Sequence, residues 1–64
     1  MCESKVYLKE NAEEKLVITD VVLLMPMKNG YVFTDISGKK HVIEHVVIDY
    51  IDFIGHKIVL KKQV

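Results

Sequence analysis

The chain is a succession of short runs rich in valine, isoleucine, tyrosine and phenylalanine, with turn residues between them. These side chains fit the pleated, half-buried surface of a β-strand. A helical turn also matches the apolar spacing of residues 46–51, but the composition and shortness of the run favour a strand. The predicted strands are residues 4–9, 15–19, 20–27, 31–36, 40–44, 46–51 and 56–61.

Turn residues mark the joints between these runs. Asn29-Gly30 is a strong hairpin signal, because both residues accept the positive φ angles of a type I′ turn. Gly55-His56 fits a type II′ turn, which needs glycine at its first central position. Residues 10–14 and 37–39 are predicted to be polar turns. About six or seven short strands joined in this way predict an all-β fold, a small closed or partly open antiparallel β-barrel.

The 64 residues allow one domain, residues 1–64, and half of them are apolar. Such small domains bury only about 60% of the surface of their unfolded chain and usually need a disulfide, a metal or a partner subunit. Cys2 is the only cysteine, so an internal disulfide is excluded. A homodimer, a metal or both are therefore expected.

Residues 20–27, DVVLLMPM, are apolar on both faces of the predicted strand. A strand of this kind needs cover on both sides. Either a second subunit supplies one cover, or residues 21–24 cross the interior of the barrel at a bend. The sequence leaves both alternatives open.

Charge and composition limit the range of partners and locations. The chain has no arginine and no net charge, which disfavours binding to nucleic acid. No run approaches the roughly 20 apolar residues that span a membrane, and the N-terminus does not resemble a secretory signal. A single free cysteine suits a reducing compartment, so a cytoplasmic location is expected.

Cys2 directly follows the initiator methionine, which is commonly removed before a small residue. Removal of Met1 would leave an α-amine and a thiol on the same residue, and these two donors close a five-membered chelate ring with a metal. Two chains related by a two-fold axis would then supply two amines and two thiolates. Planar nitrogen and sulfur coordination suits nickel(II) or copper(II), whereas zinc prefers a tetrahedral site. Since cytosolic copper is expected as copper(I), nickel is favoured; the alternative is that Cys2 has no role.

The opening MCESKVYL resembles the M-C-x-x-K-V-x-L start of the CooT family, and the stretches LVITDVVLL, TDISGKK and IDFIGHKIVL extend the resemblance over nearly the whole chain. The resemblance implies a homodimer of small β-barrels that holds one nickel(II) ion per dimer at its interface through Cys2. It also implies a metallochaperone or nickel-storage protein, not an enzyme, that assists maturation of a nickel enzyme such as carbon-monoxide dehydrogenase. The chain departs from the family at His45, near which many members have glycine.

Other candidates for chemistry are weaker. Asp49 and Asp52 are expected to be surface acids, because residues three apart face opposite sides of a strand. Met25 and Met27 are expected to pack in the core or an interface. Two rival functions remain, a small RNA-binding barrel and a protein-interaction module with an incidental Cys2. Solvated imidazoles are expected at His41, His45 and His56, and packing roles for Tyr7, Tyr31, Phe33, Tyr50 and Phe53.

Overall fold

The structure, a computed structural model, describes residues 3–63, which form one six-stranded sheet. The predicted all-β class is therefore confirmed, and residues 46–52 form a strand, not a helical turn. No helix among residues 3–63 is long and apolar enough to cross a membrane. The strands are β1 (Ser4–Glu10), β2 (Glu13–Met27), β3 (Gly30–Asp35), β4 (Lys40–Glu44), β5 (Val46–Asp52) and β6 (Lys57–Lys62).

The sheet curls into a half-barrel with the strand order β4-β3-β2-β1-β6-β5. This confirms the partly open barrel, but the sheet is mixed and not purely antiparallel, because β1 and β6 run parallel from Lys5 opposite Lys57 to Lys9 opposite Lys61. The other four pairings are antiparallel. The parallel pair joins the two ends of the chain, so no turn signal in the sequence could reveal it.

The two strands predicted at residues 15–19 and 20–27 form the single 15-residue strand β2. Asp20 has a φ of 60°, and the pairing of β2 with β3 shifts register between Val21 and Leu23. Such a bulge bends a strand, which agrees with the bend alternative. Only Val21 and Ile18 of β2 are buried, however, so the bend does not bring the whole apolar run into the interior.

The core lies on the inner face of the half-barrel. Val6 of β1, Phe33 of β3 and Leu60 of β6 are fully buried in it, and β6 is buried at the three consecutive residues 58–60. Phe33 therefore has the expected packing role, whereas Phe53 lies on the surface. The core cluster comprises Val6, Ile18, Val21, Phe33, Val46, Ile58 and Leu60.

The predicted type I′ turn at Asn29-Gly30 is wrong. Met27 pairs with Gly30, so the loop is residues 28–29, and neither Asn29 nor Gly30 has a positive φ. Glycine is needed here for a different reason: a Cβ on Gly30 would collide with the Ile43 carbonyl oxygen and lie 2.8 Å from the Cα of Glu44. Close approach of β4, and not the turn conformation, requires this glycine.

The type II′ turn at Gly55-His56 is also wrong. Asp52 pairs with Lys57 across a four-residue loop, and the positive φ of 53° belongs to His56, not to Gly55. The turn at residues 37–39 is present, with Gly38 at a φ of 92°. Positive φ angles at both central residues, as in a type I′ turn, occur instead at Asn11 and Ala12 between β1 and β2.

Candidate functional site

Cys2, the predicted metal ligand, lies outside the described residues 3–63. The structure does describe the segment that follows it. Ser4 pairs with Val21 of β2, and the Lys5 N–H donates to the His56 carbonyl oxygen at 2.9 Å. The chain start therefore leads directly into a strand that is held on both sides, between β2 and the beginning of β6.

An open groove lies beside this start of β1. Glu3 and Ser4 line it together with residues 21–24 of β2 and with Ile58. Val22 is 51% exposed and Leu23 is 49% exposed, so the apolar run of β2 is only partly covered by its own chain. Within residues 3–63, the pairing of β1 with β2 ends at Ser4 and Val21, so β1 does not pair with β2 beyond Val21.

The apolar surface continues from the groove across the outer face of the sheet. Met25 of β2, Val32 of β3 and Val42 of β4 are direct cross-strand neighbours on one face. Met25 and Val42 are each more than half exposed, and Met27 is 36% exposed. The two methionines are therefore not in the core; an interface role stays a prediction.

The loop between β5 and β6 lies at the same end of the sheet, because β6 begins beside the beginning of β1. Asp52 shapes this loop: its Oδ1 accepts the N–H groups of Ile54 at 3.1 Å and Gly55 at 2.9 Å. A Cβ on Gly55 would lie 2.7 Å from the other Asp52 oxygen, so glycine makes room for the carboxylate. Phe53 and Ile54 are 80% and 93% exposed at the loop tip.

The three histidines lie at separate places. His41 is not simply solvated, because its Nε2 lies 2.8 Å from Asp35 Oδ2. This contact, and to a lesser extent the hydrogen bond from the Ser37 hydroxyl, hold the pKa of the Asp35 carboxyl well below its ordinary value. His45, with a φ of 64°, links β4 to β5, and its backbone carbonyl oxygen accepts the Gln63 N–H at the far end of β6. Within residues 3–63, no three side chains of histidine, cysteine, aspartate or glutamate converge as a metal site would require.

Several lysines, among them Lys57, are paired with acids on the sheet. Lys57 forms an ion pair with Glu14, and its Nζ lies 5.1 Å from the centre of the Tyr7 ring. The Tyr50 hydroxyl donates to Glu14 at 2.7 Å. The bond with Lys57 lowers the pKa of Glu14, and the same bond raises the pKa of Lys57. These contacts join β1, β2, β5 and β6, so their role is structural.

The two acids considered as a pair have different roles. Asp49 lies 3.4 Å from the Lys9 Nζ and 3.8 Å from the Lys61 Nζ, whereas Asp52 accepts the loop N–H groups. Both therefore serve local contacts at the surface, as the sequence predicts.

The sequence model of the family described as "CO dehydrogenase accessory protein CooT" matches residues 1–61. The chain belongs to the CooT family. The crystal structure of "putative CooT from Carboxydothermus hydrogenoformans" is similar to this CooT chain, with a TM-score of 0.86 and 25% sequence identity. The match covers 98% of this chain and 100% of that one. No curated protein matches the chain.

The family match confirms the resemblance predicted from the MCESKVYL start. It links this CooT chain to a family of accessory proteins for carbon-monoxide dehydrogenase. The matched residues include Cys2, and the structural match extends over the whole half-barrel.

Proposed function

We propose that this CooT chain is a cytoplasmic, non-catalytic nickel-binding protein that assists maturation of a nickel enzyme such as carbon-monoxide dehydrogenase. One nickel(II) ion is held per homodimer by the Cys2 thiolate and the N-terminal amine of both chains, after removal of Met1. The observation that carries the proposal is the family match, which includes the Met1-Cys2 start. Nickel is the cargo, delivered to the enzyme or stored for it.

The groove beside the chain start supports a second copy of the chain as the partner. Val22 and Leu23 present apolar surface there, next to Glu3 and Ser4. Burial of this surface would stabilise a small domain that is marginal alone. A two-fold axis near the groove would also bring the two Cys2 residues towards one ion. The dimer and the metal site are thus parts of the same proposal.

The rival RNA-binding function is less well supported by the surface. A phosphate backbone is bound through free cationic side chains. Of the five lysines of β1 and β6, all but Lys5 have an acidic neighbour within 4 Å, which reduces their attraction for phosphate. The pairs are Lys9 and Lys61 with Asp49, Lys57 with Glu14, and Lys62 with Glu10.

Nickel titration of the chain tests the metal site. Mass spectrometry first establishes that Met1 is absent, because a retained Met1 ties the α-amine of Cys2 into a peptide bond. We expect one nickel(II) ion per two chains by calorimetry, and loss of binding in Cys2→Ser. A matched control, Cys2→Ala with Glu3→Cys, keeps one thiol near the chain start but separates it from the amine. This double variant should also lose nickel binding, because its thiol and amine no longer belong to one residue. A nickel affinity of Cys2→Ser equal to that of the parent would refute the proposal.

Light scattering tests the interface. Leu23→Lys places a charge in the groove and should convert the dimer into a monomer. Leu16→Lys is the matched control, because Leu16 is 50% exposed on the same strand but lies outside the groove. If both variants stay dimeric, the two copies do not meet at this groove.

A further inference from the structure

Two apolar surfaces of opposite shape lie side by side at one end of the sheet. The groove between the chain start and residues 21–24 is concave, and Ile58 forms part of its lining. The loop between β5 and β6 carries an apolar tip, formed by Phe53 and Ile54. We propose that the apolar tip of each chain inserts into the groove of a second copy. This inference rests on the proposed function, because it concerns the same homodimer.

The apolar tip is not covered by its own chain. Phe53 is 80% exposed, and Ile54, at 93%, is the most exposed of the large apolar residues within 3–63. Exposed apolar side chains are ordinary when they are scattered singly, but adjoining ones that continue into further apolar surface mark interaction sites. Two large neighbours at a loop tip, beside an apolar groove, therefore indicate a surface that another molecule covers.

The loop holds the tip in a fixed shape before any partner binds. Asp52 Oδ1 accepts the N–H groups of Ile54 at 3.1 Å and Gly55 at 2.9 Å, so the backbone on both sides of the Ile54 side chain is tied down. A segment that is already ordered loses little conformational freedom on binding, which favours association. The tip is thus built as a stiff protrusion.

The groove matches the tip in size and polarity. Its volume is about 320 Å³, which lies within the range of sites that enclose small organic molecules, roughly 300–1,000 Å³. Among residues 3–63, Glu3 is the only charged residue in its lining. Val22 and Leu23 each expose about half of their surface there. A space of this kind accepts apolar side chains better than charged ones.

The position of the tip beside the groove suits exchange between two copies. Ile54 lies three residues before the start of β6, and Ile58 at that start lines the groove. The exposure of Ile54 shows that the tip does not fill the groove of its own chain. In a two-fold interface, a residue i that contacts j is matched by j contacting i. An axis between the two surfaces therefore carries each tip to the groove of the other chain.

The area of the exchange approaches that of a stable interface. Phe53 and Ile54 together leave on the order of 300 Å² in contact with water, since a large side chain buries 150–250 Å² when it is enclosed. Each chain contributes a tip and receives one, so roughly 600 Å² is covered per chain. A standard interface covers about 800 Å² per partner. The remainder can come from the edges of the groove.

Two single-cysteine chains test the contact directly. One carries Ile54→Cys and the other Leu23→Cys, each with Cys2→Ser, which leaves one thiol per chain. Thiols held in contact react at an effective concentration of about millimolar, so the mixed disulfide should form at least about tenfold faster than with Leu16→Cys in place of Leu23→Cys. Leu16 is a matched control, because it is 50% exposed, against 49% for Leu23, and lies outside the groove.

Light scattering tests whether the tip holds the dimer together. Phe53→Ser with Ile54→Ser should raise the dissociation constant of the dimer at least about 30-fold, the effect of removing an interface anchor. Leu16→Ser with Val17→Ser is the control, because these two residues are also adjacent and exposed but lie outside the groove. The control should stay dimeric. The cross-link needs no folded monomer, so it decides the case if the tip variant unfolds.

The outcomes distinguish this inference from the proposed function. A parent that is monomeric in solution contradicts the proposed homodimer, and the exchange fails with it. If Leu23→Lys dissociates the dimer while the tip variant stays dimeric and the mixed disulfide forms no faster than the control, the groove interface stands without the tip. Fastest cross-linking between two Ile54→Cys chains would overturn the exchange, because the tips then meet each other. Nickel binding does not enter, since the cross-linked chains carry Cys2→Ser.

Discussion

Replacing Ala12 with glycine should stabilise the chain. Asn11 and Ala12 form the two-residue loop between β1 and β2, with φ angles of 51° and 69°. Asparagine tolerates the left-handed conformation, but the Cβ of alanine comes too close to the backbone there. Ala12 is exposed, so its methyl group contributes no buried packing that the substitution would remove.

The magnitude follows from two opposing effects. Left-handed backbone costs a residue with a Cβ about 1–2 kcal/mol, which glycine avoids. Glycine also increases the freedom of the unfolded chain, which costs about 0.4–1 kcal/mol. The difference predicts that Ala12→Gly raises the free energy of unfolding by about 0.5–1 kcal/mol. For a domain of this size, a gain of 1 kcal/mol corresponds to roughly 4–8 °C in Tm.

Urea unfolding followed by far-UV circular dichroism measures this difference at a fixed chain concentration. Gly38→Ala is the reciprocal control, because Gly38 has a φ of 92° and a Cβ added there would have no heavy atom within 4 Å beyond its own chain neighbours. That substitution should lower stability through conformation alone. A destabilised Ala12→Gly variant, or a stabilised Gly38→Ala variant, would refute the reasoning about these turns.

Three further predictions concern Gly30, the core and the β3–β4 turn. Gly30→Ala should abolish folding as seen by circular dichroism, because its Cβ would meet the backbone of β4 and not a side chain that can move. Phe33→Ala should cost about 3–5 kcal/mol in urea unfolding, whereas Phe53→Ala, at a position exposed in the single chain, should cost little in the Leu23→Lys background, where no second copy covers it. Asp35 has a pKa lowered chiefly by its bond with His41, so its contribution to stability is present above its ordinary pKa of 3.8 and is lost as pH falls through the lower, folded value. The stability difference between the parent and Asp35→Asn should therefore narrow as the pH is lowered below about 4. A difference that stays the same down to about pH 2 would contradict this role of Asp35.

The strands could be predicted from sequence because their signal is local. Runs of β-branched and aromatic residues gave the boundaries of β4 without error and those of β1 and β3 to within one residue. The turns were harder, because one residue type can satisfy different needs. Gly30 follows an asparagine as in a hairpin turn, yet the close approach of β4 explains it. Nothing in the residue type of Ala12 indicated a left-handed backbone.

The surroundings of the candidate site could not be predicted, because they depend on a contact between the chain ends. Local patterns suggested a sheet whose neighbours follow the order of the chain. The structure instead inserts β1 between β2 and β6, in parallel with β6. This pairing is the reason that the loop between β5 and β6 lies beside the strand that follows Cys2. From sequence alone, that loop was a turn at Gly55-His56, with no reason to place it near the chain start.

The same pairing explains why the apolar run of β2 is exposed next to the chain start. In the described residues, β1 pairs with β2 only as far as Val21, whereas β2 continues to Met27. Beyond Val21, the neighbour of β2 is β3 on one side, and the groove lies on the other. Pro26 has no N–H to offer a further strand, which opposes extension of the sheet along this edge. A second copy is therefore expected to pack side chains against Val22 and Leu23, and not to add a strand, so Leu23→Lys should separate the two chains more effectively than a proline placed in β4.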